Sequence, residues 1–154
     1  MTKTIGLISD THGLIRPEAL NALRGSDFII HAGDIGRPDV LGHLMALAPV
    51  FAVRGNIDAG AWAASLPDTE DLTIGGHRVH VLHALSDLAI NPEIKGITAI
   101  IYGHTHQPLI EEKGGVLYVN PGSAGPRRFR LPVTVGNLQV VDGKLKAAII
   151  DLKV

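Results

Sequence analysis

The sequence predicts an α/β fold: two packed mixed β-sheets with helices on their outer faces. Three observations carry the prediction. Short apolar runs alternate with helical patterns through the first third of the chain, which argues for parallel β-α-β units. Paired strand patterns around Gly-containing turns fill most of the remainder, which argues for hairpins. The length of 154 residues, with 45% hydrophobic and 19% charged residues, suits one globular domain over residues 1–154.

TIGLIS (4–9) is short, apolar and closed by polar residues, as a buried strand is. Pro17 opens a helix, because its fixed φ suits the first turn; Ala19, Leu20, Ala22 and Leu23 form the apolar face and Gly25 ends it. DFIIHA (27–32) is the second strand. Pro38 starts a second helix, with Val40, Leu41, Leu44, Met45 and Leu47 expected on its buried side. VFAV (50–53) is the third strand. Residues 59–69 show no strand pattern and read as a loop or short helix, with Trp62 as a core anchor in preference to a lid. DLTIGGHRVHVLH (71–83) reads as a hairpin turning at Gly75-Gly76. A loop or short helix from Ser86 to Lys95 precedes the strand ITAIIY (97–102). LIEEKGGVLYVN (109–120) is a second hairpin, and residues 133–154 form a third, turning at Asp142-Gly143.

The absence of cysteine excludes disulfides and thiolate metal sites. It fits a reducing compartment, and the expected location is cytoplasmic. The N-terminus has no signal-peptide pattern, and no apolar run approaches the ~20 residues that span a bilayer, so no membrane partner is expected. The net charge is −1 and the pI about 6.7. A nucleic-acid binder usually shows a basic stripe. The one basic cluster here, Arg127, Arg128 and Arg130, reads as a solvated loop, so no extensive nucleic-acid surface is expected. Oligomeric state, a homo-oligomer included, is left open.

Seven polar residues sit at the ends of five predicted strands: Asp10, His12, Asp34, Asn56, His83, His104 and His106. In open α/β sheets, ligands gather outside the carboxyl ends of the strands. Singly, each motif is weak: D-x-H is usually a cap or turn, G-D and G-N are turn chemistry, and a lone His is usually core. Together they suit a cage of oxygen and imidazole donors for two divalent cations, Mn²⁺ first, with Zn²⁺, Ni²⁺ and Fe compatible. Asp34 has two carboxylate oxygens and is the natural bridge. Two cations bring +4 against −2 from Asp10 and Asp34; a bridging hydroxide leaves a cluster of about +1, which attracts an anionic phosphoester. A hydroxide formed there at neutral pH is the expected nucleophile for in-line attack on phosphorus, with Asp34, Asn56 and His83 as catalytic residues. His31 is expected in the core, supporting Asp34; His43, His77 and His80 are expected on surfaces.

These residues, in this order, resemble the calcineurin-like metallophosphoesterases: D-x-H, then G-D, G-N, H and G-H-x-H, across essentially the whole chain. N-P-G-S (Asn120 to Ser123) followed by Pro126-Arg127 resembles the small YfcE/MJ0936-type phosphodiesterase branch, of which the retromer subunit Vps29 is a structural cousin. The resemblance implies a four-layer αββα sandwich acting on a small phosphoester. It implies one metal held by Asp10, His12, Asp34 and His106, and a second held by Asp34, Asn56, His83 and His104. Two departures stand out. Ile57 follows the motif Asn where most of the superfamily has a His, thought to protonate the leaving group, and Asp58 is a minor candidate for that acid. Ala84 and Leu85 follow His83 where the branch often has Gly and His. The leading expectation is a dinuclear metal-dependent phosphodiesterase. The alternatives are a non-catalytic Vps29-like binding scaffold and a phosphomonoesterase using the same site.

Overall fold

In a computed structural model, which describes residues 3–154, alternation along β1 (Lys3–Ile8) sets the layering. Ile5 and Leu7 point to one side and pack between the two sheets with Ile30, Val79, Ile101, Val119 and Leu138. Ile8 points to the other side and joins Ala19, Leu23, Val40 and Leu44 beneath the helices α1 (Pro17–Leu23) and α2 (Pro38–Met45). Each fully buried Ile or Leu contributes roughly 1.5–3 kcal/mol relative to exposure, so both faces of β1 are fixed.

The first sheet continues with β2 (Phe28–His31) and β3 (Val50–Ala52), parallel to β1. Its order is β10-β9-β1-β2-β3, where β9 (Thr134–Val141) and β10 (Lys144–Asp151) form the last hairpin. The second sheet has β4 (Thr69–Ile74), β5 (His77–Leu82), β6 (Ile97–Ile101), β7 (Leu109–Lys113) and β8 (Val116–Asn120), in the order β4-β5-β6-β8-β7. Both sheets are mixed, as expected. The outer layer on the second sheet is thin: a 3₁₀ turn at Leu85–Asp87 and the short α3 (Pro92–Lys95), packed over Ile97, Ile100 and Tyr102. Asn91 caps α3 by accepting from the backbone N–H of Glu93, and Gly96 closes it at φ 70°.

The placement of the elements agrees with the sequence patterns, with two corrections among side chains. Met45 is exposed at 58%, not buried. It lies on the flank of the Val40–Leu44 stripe, and α2 covers the edge strand β3, so that flank runs out of sheet to cover. His80 is buried, not on a surface: β5 is an inner strand covered on both faces, and the His80 Nδ1 lies 2.8 Å from the Asp71 carboxylate across the β4–β5 pair. Trp62 sits in a 3₁₀ turn and packs on the helix-side core, consistent with an anchor.

Candidate metal centre

Six strands run parallel to a neighbour, and five of them bring the predicted residues to one side of the sandwich. The loop after β1 carries Asp10 and His12, that after β2 carries Asp34, and that after β3 carries Asn56; β5 and β6 deliver His83, His104 and His106. The first sheet thus supplies the oxygen donors with one imidazole, and the second supplies three imidazoles. Asp10, His12 and His106 offer atoms within 4.8 Å of one another, and so do Asp34, His83 and His104. Asn56 joins the second group: its inward amide atom lies 3.2 Å from His104 Nδ1, 3.0 Å from His83 Nε2 and 3.2 Å from Asp34 Oδ2. All seven residues singled out from the sequence meet at one place.

Each carboxylate divides its work. Asp10 Oδ2 accepts from Ser9 Oγ (2.6 Å) and the His104 N–H (3.0 Å), while Oδ1 faces His106 Nε2 at 3.4 Å and His12 and His83 at 3.8 Å. Asp34 Oδ1 accepts from the Ile57 N–H, and Oδ2 lies 3.2 Å from His83 Nε2 and 3.6 Å from His12 Nε2. Asp34 Oδ2 therefore faces both groups. Asp10 Oδ1 and His12 Nε2 are buried without a hydrogen-bond partner among the described residues. In water-poor surroundings such orphans are costly. Turning the Asn56 amide would offer its NH₂ to the acceptors around it. In either orientation the carboxylate oxygens and imidazole nitrogens, with Asp10 Oδ1 and His12 Nε2 unpartnered, offer lone pairs that a cation would satisfy. The donor set therefore fits divalent metals.

The ionisation pattern has the same cause. Burial alone would raise the Asp10 carboxyl, but His106, His12 and the Ser9 hydroxyl outweigh it and hold it well below the usual carboxylate range. Asp34 is likewise held down by His83 and the Ile57 N–H against burial. Burial lowers His83, yet the Asp34 carboxylate outweighs it and the net shift is upward. The His83 Nδ1–H donates to Ala32 O at 2.7 Å, which aims the Nε2 lone pair at the carboxylates. A geometry that favours a proton at that nitrogen favours a cation equally well.

A ring of residues that the sequence reading did not single out as supports holds this arrangement. Ser9 and Asn120 do so directly, the latter donating to Gly103 O and Thr105 Oγ1 in the loop that carries His104 and His106. Ser123 donates to Asp10 O. The buried Asp58 carboxylate accepts the N–H groups of Ile35, Gly36 and Gly55, which fixes the Asp34 and Asn56 loops to each other. His31 is buried as expected and braces the backbone that leads into Asp34. Its Nδ1 accepts from the Gly33 N–H, so its proton sits on Nε2, facing Thr11 Oγ1, which donates to Ile35 O. Five of the seven convergent residues also adopt a left-handed backbone: Asp10, His12, Asp34, His104 and His106 have φ between 47° and 75°. Such conformations cost of order 1–3 kcal/mol each and cluster at working sites.

His31 gives a pH prediction. Burial pushes its imidazole down to about 4, with Asp10 and Asp58 opposing only in part. An unfolded chain takes up this proton near 6.5, whereas the folded one does not until about 4. Stability from this group is therefore complete above pH 6.5 and is lost on acidification towards 4, by about 3 kcal/mol in total. His83 has the opposite sign in metal-free protein: its contribution is present in acid and lost as pH rises through its raised value. NMR titration should find the His31 ring neutral down to about pH 4; a midpoint near 6.5 would contradict the hydrogen-bond assignment.

Two clefts flank the cluster. The wider, of about 540 Å³, is bordered by Asn56, His83 and His104 with Arg54, Ser86 and Asp87. The narrower, of about 180 Å³, lies between His12 and His106 on one side and Pro126, Arg127 and Arg128 on the other. Arg127 and Arg128 of the arginine loop thus border a cleft whose other wall is His12 and His106.

Comparison with known proteins accords with this geometry. A sequence profile of the calcineurin-like phosphoesterase superfamily domain matches residues 4–143. A probable metallophosphoesterase from Methanothermobacter thermautotrophicus is 37% identical, with 95% of this chain and 91% of that protein covered. Phosphodiesterase YfcE of Escherichia coli is 28% identical, with 84% of each covered. In fold alone, the structure of vacuolar protein sorting 29 (Vps29) from Cryptosporidium parvum is similar, with a TM-score of 0.77 over 97% of each chain at 18% identity. The chain belongs to the calcineurin-like phosphoesterase superfamily. This makes it a metallophosphoesterase, of a family that binds divalent metals and acts on phosphoesters. Among the described residues, no helix is long and apolar enough to cross a membrane.

Proposed function

We propose that this chain, acting as one domain over residues 1–154, is a phosphodiesterase with two divalent cations. The observation that carries the reading is the convergence of two carboxylates and four imidazoles on one spot, where two buried atoms, Asp10 Oδ1 and His12 Nε2, have no hydrogen-bond partner among the described residues. Asp10, His12, His106 and Asp34 would hold one cation. Asn56, His83 and His104 would complete the second around the shared Asp34 Oδ2. Mn²⁺ is the first candidate, and Zn²⁺, Ni²⁺ and Fe suit the same donors. When bound, the pair would supply an acidified water for in-line attack on phosphorus and positive charge against the phosphoryl oxygens.

The chain's own residues do the rest. The Ala32 carbonyl holds His83 in the tautomer that leaves Nε2 free. Asn56, with its oxygen inward, keeps its NH₂ to donate to a phosphoryl oxygen. The wider cleft receives an ester arm. No leaving-group acid stands where the superfamily usually has one: Ile57 is exposed there, and the Asp58 carboxylate is consumed by three backbone N–H groups. The departing oxygen must be weakly basic or take its proton from water, which favours diesters with good leaving groups over a phosphomonoesterase role. A cytoplasmic location accords with a chain that lacks cysteine.

Elemental analysis should find two cations per chain. Mn²⁺-loaded protein should hydrolyse bis-p-nitrophenyl phosphate faster than p-nitrophenyl phosphate, chelator should abolish the activity, and His83→Ala should lower it at least about 100-fold. If loaded protein does no better than His83→Ala on both substrates, the enzyme reading is discarded. A binding scaffold without turnover then takes its place, a reading supported by the fold shared with Vps29 and by Ile57 exposed at the site.

A further inference from the structure

The two clefts differ in charge. In the wider one, Arg54 is neutralised by Asp68 through hydrogen bonds of 2.8 and 3.1 Å, and Asp87 adds a negative charge. The narrower one has two arginines on its wall and no carboxylate apart from those of the cluster itself. Its two arginines also differ. Arg127 donates to the carbonyls of Leu131 and Val154, so its guanidinium is fixed as a brace. The Arg128 side chain has no hydrogen-bond or ion-pair partner among the described residues, its backbone carbonyl accepts from the Leu131 N–H, and Pro126 stiffens the chain just before it.

An exposed, unpartnered Arg is ordinarily just solvated. Arg128 differs because the opposite wall of its cleft is His12 and His106, so an anion held by it lies next to the phosphorus centre. A guanidinium fork matches the oxygens of a phosphate, whereas a small cleft leaves little room for a bulky uncharged group. Resting on the phosphodiesterase reading above, we propose that Arg128, backed by Arg127, forms a subsite for a second phosphate carried on one arm of the substrate. The substrate class is then a phosphodiester with a further phosphate on one side. That arm enters the narrow cleft and the less charged arm enters the wide one.

The test uses Mn²⁺-loaded full-length protein and two p-nitrophenyl phosphodiesters of the same nucleoside, joined through its 5′ oxygen, one with a free 3′-hydroxyl and one with a 3′-phosphate. Wild type should prefer the 3′-phosphorylated substrate by about tenfold in kcat/KM, mainly through KM. Arg128→Ala should erase the preference, Arg128→Lys should restore part of it, and raising salt from about 50 to 200 mM should weaken it. Equal loss on both substrates, or an unchanged preference, overturns the subsite while leaving the phosphodiesterase reading intact. If no substrate turns over, that reading fails by itself. Calorimetric titration with inorganic pyrophosphate then decides the subsite: binding about tenfold weaker in Arg128→Ala supports it, and equal affinity overturns it.

Discussion

Asp34→Ala is expected to lower kcat by about four orders of magnitude or more while leaving the fold in place. The Asp34 Oδ2 atom lies between the two groups of donors, 3.6 Å from His12 Nε2 and 3.2 Å from His83 Nε2. On the two-cation reading proposed above, its loss would leave the cations without a shared anionic ligand, and the pair would no longer act as a clamp on one phosphorus. The fold should survive because the carboxylate's one backbone partner is the Ile57 N–H and because its removal relieves repulsion with Asp10 in metal-free protein. Elemental analysis should show fewer than two cations per chain, with an unaltered circular dichroism spectrum. A variant that retains two tightly held cations would remove Asp34 from the centre of the site.

Gly55→Ala should be as damaging by a different route. A Cβ there would lie 2.0 Å from the Asp34 backbone nitrogen and 2.1 Å from its Oδ1. Nothing at those positions is the loose end of a flexible side chain, so the β2 and β3 loops must separate. That separation strains the three N–H bonds held by Asp58 and moves Asn56 away from His83. The expected cost is about 3 kcal/mol or more in denaturant unfolding, together with lost metal. Gly42→Ala is the control: it lies inside α2 with nothing within 4 Å of an added Cβ, and helix propensity alone should make it neutral or slightly stabilising. Equal behaviour of the two variants would mean that the loops do not meet as closely as the hydrogen bonds imply.

Much of the architecture was legible because its signals are local. Apolar runs of four to six residues, Pro17 and Pro38 at helix starts, and glycine pairs at Gly75 and Gly114 each act within a few residues. Strand order was not legible: that β9 pairs antiparallel with β1, across most of the chain, follows from packing and not from any nearby residue. The same division holds at the site. Seven side chains after strand ends could be read as converging because parallel strands share one end. Their supports could not, since Ser9, Asn120 and Ser123 are ordinary turn residues until distant backbone meets them. His80 reads as a surface residue in the sequence, and the bracing role of Asp58 is invisible there, because neither one's partner can be seen from its neighbours. Polar residues look exposed in a sequence, but a buried backbone donor or a cross-strand partner makes burial favourable. The arginine loop was underrated because its relation to His12 and His106 exists only in three dimensions.

The positive φ values at Asp10, His12, Asp34, His104 and His106 have a consequence for how such a centre ages. Among residues with a side chain, Asp, Asn and His are those that tolerate this conformation best. Conformational tolerance and coordination chemistry therefore select the same alphabet at the same positions. A descendant that abandoned hydrolysis would still be pressed to keep many of these letters, purely to spare its loops. The letters therefore record the shape of the turns as faithfully as the reaction, and bound cations are what separate a working centre from its fossil.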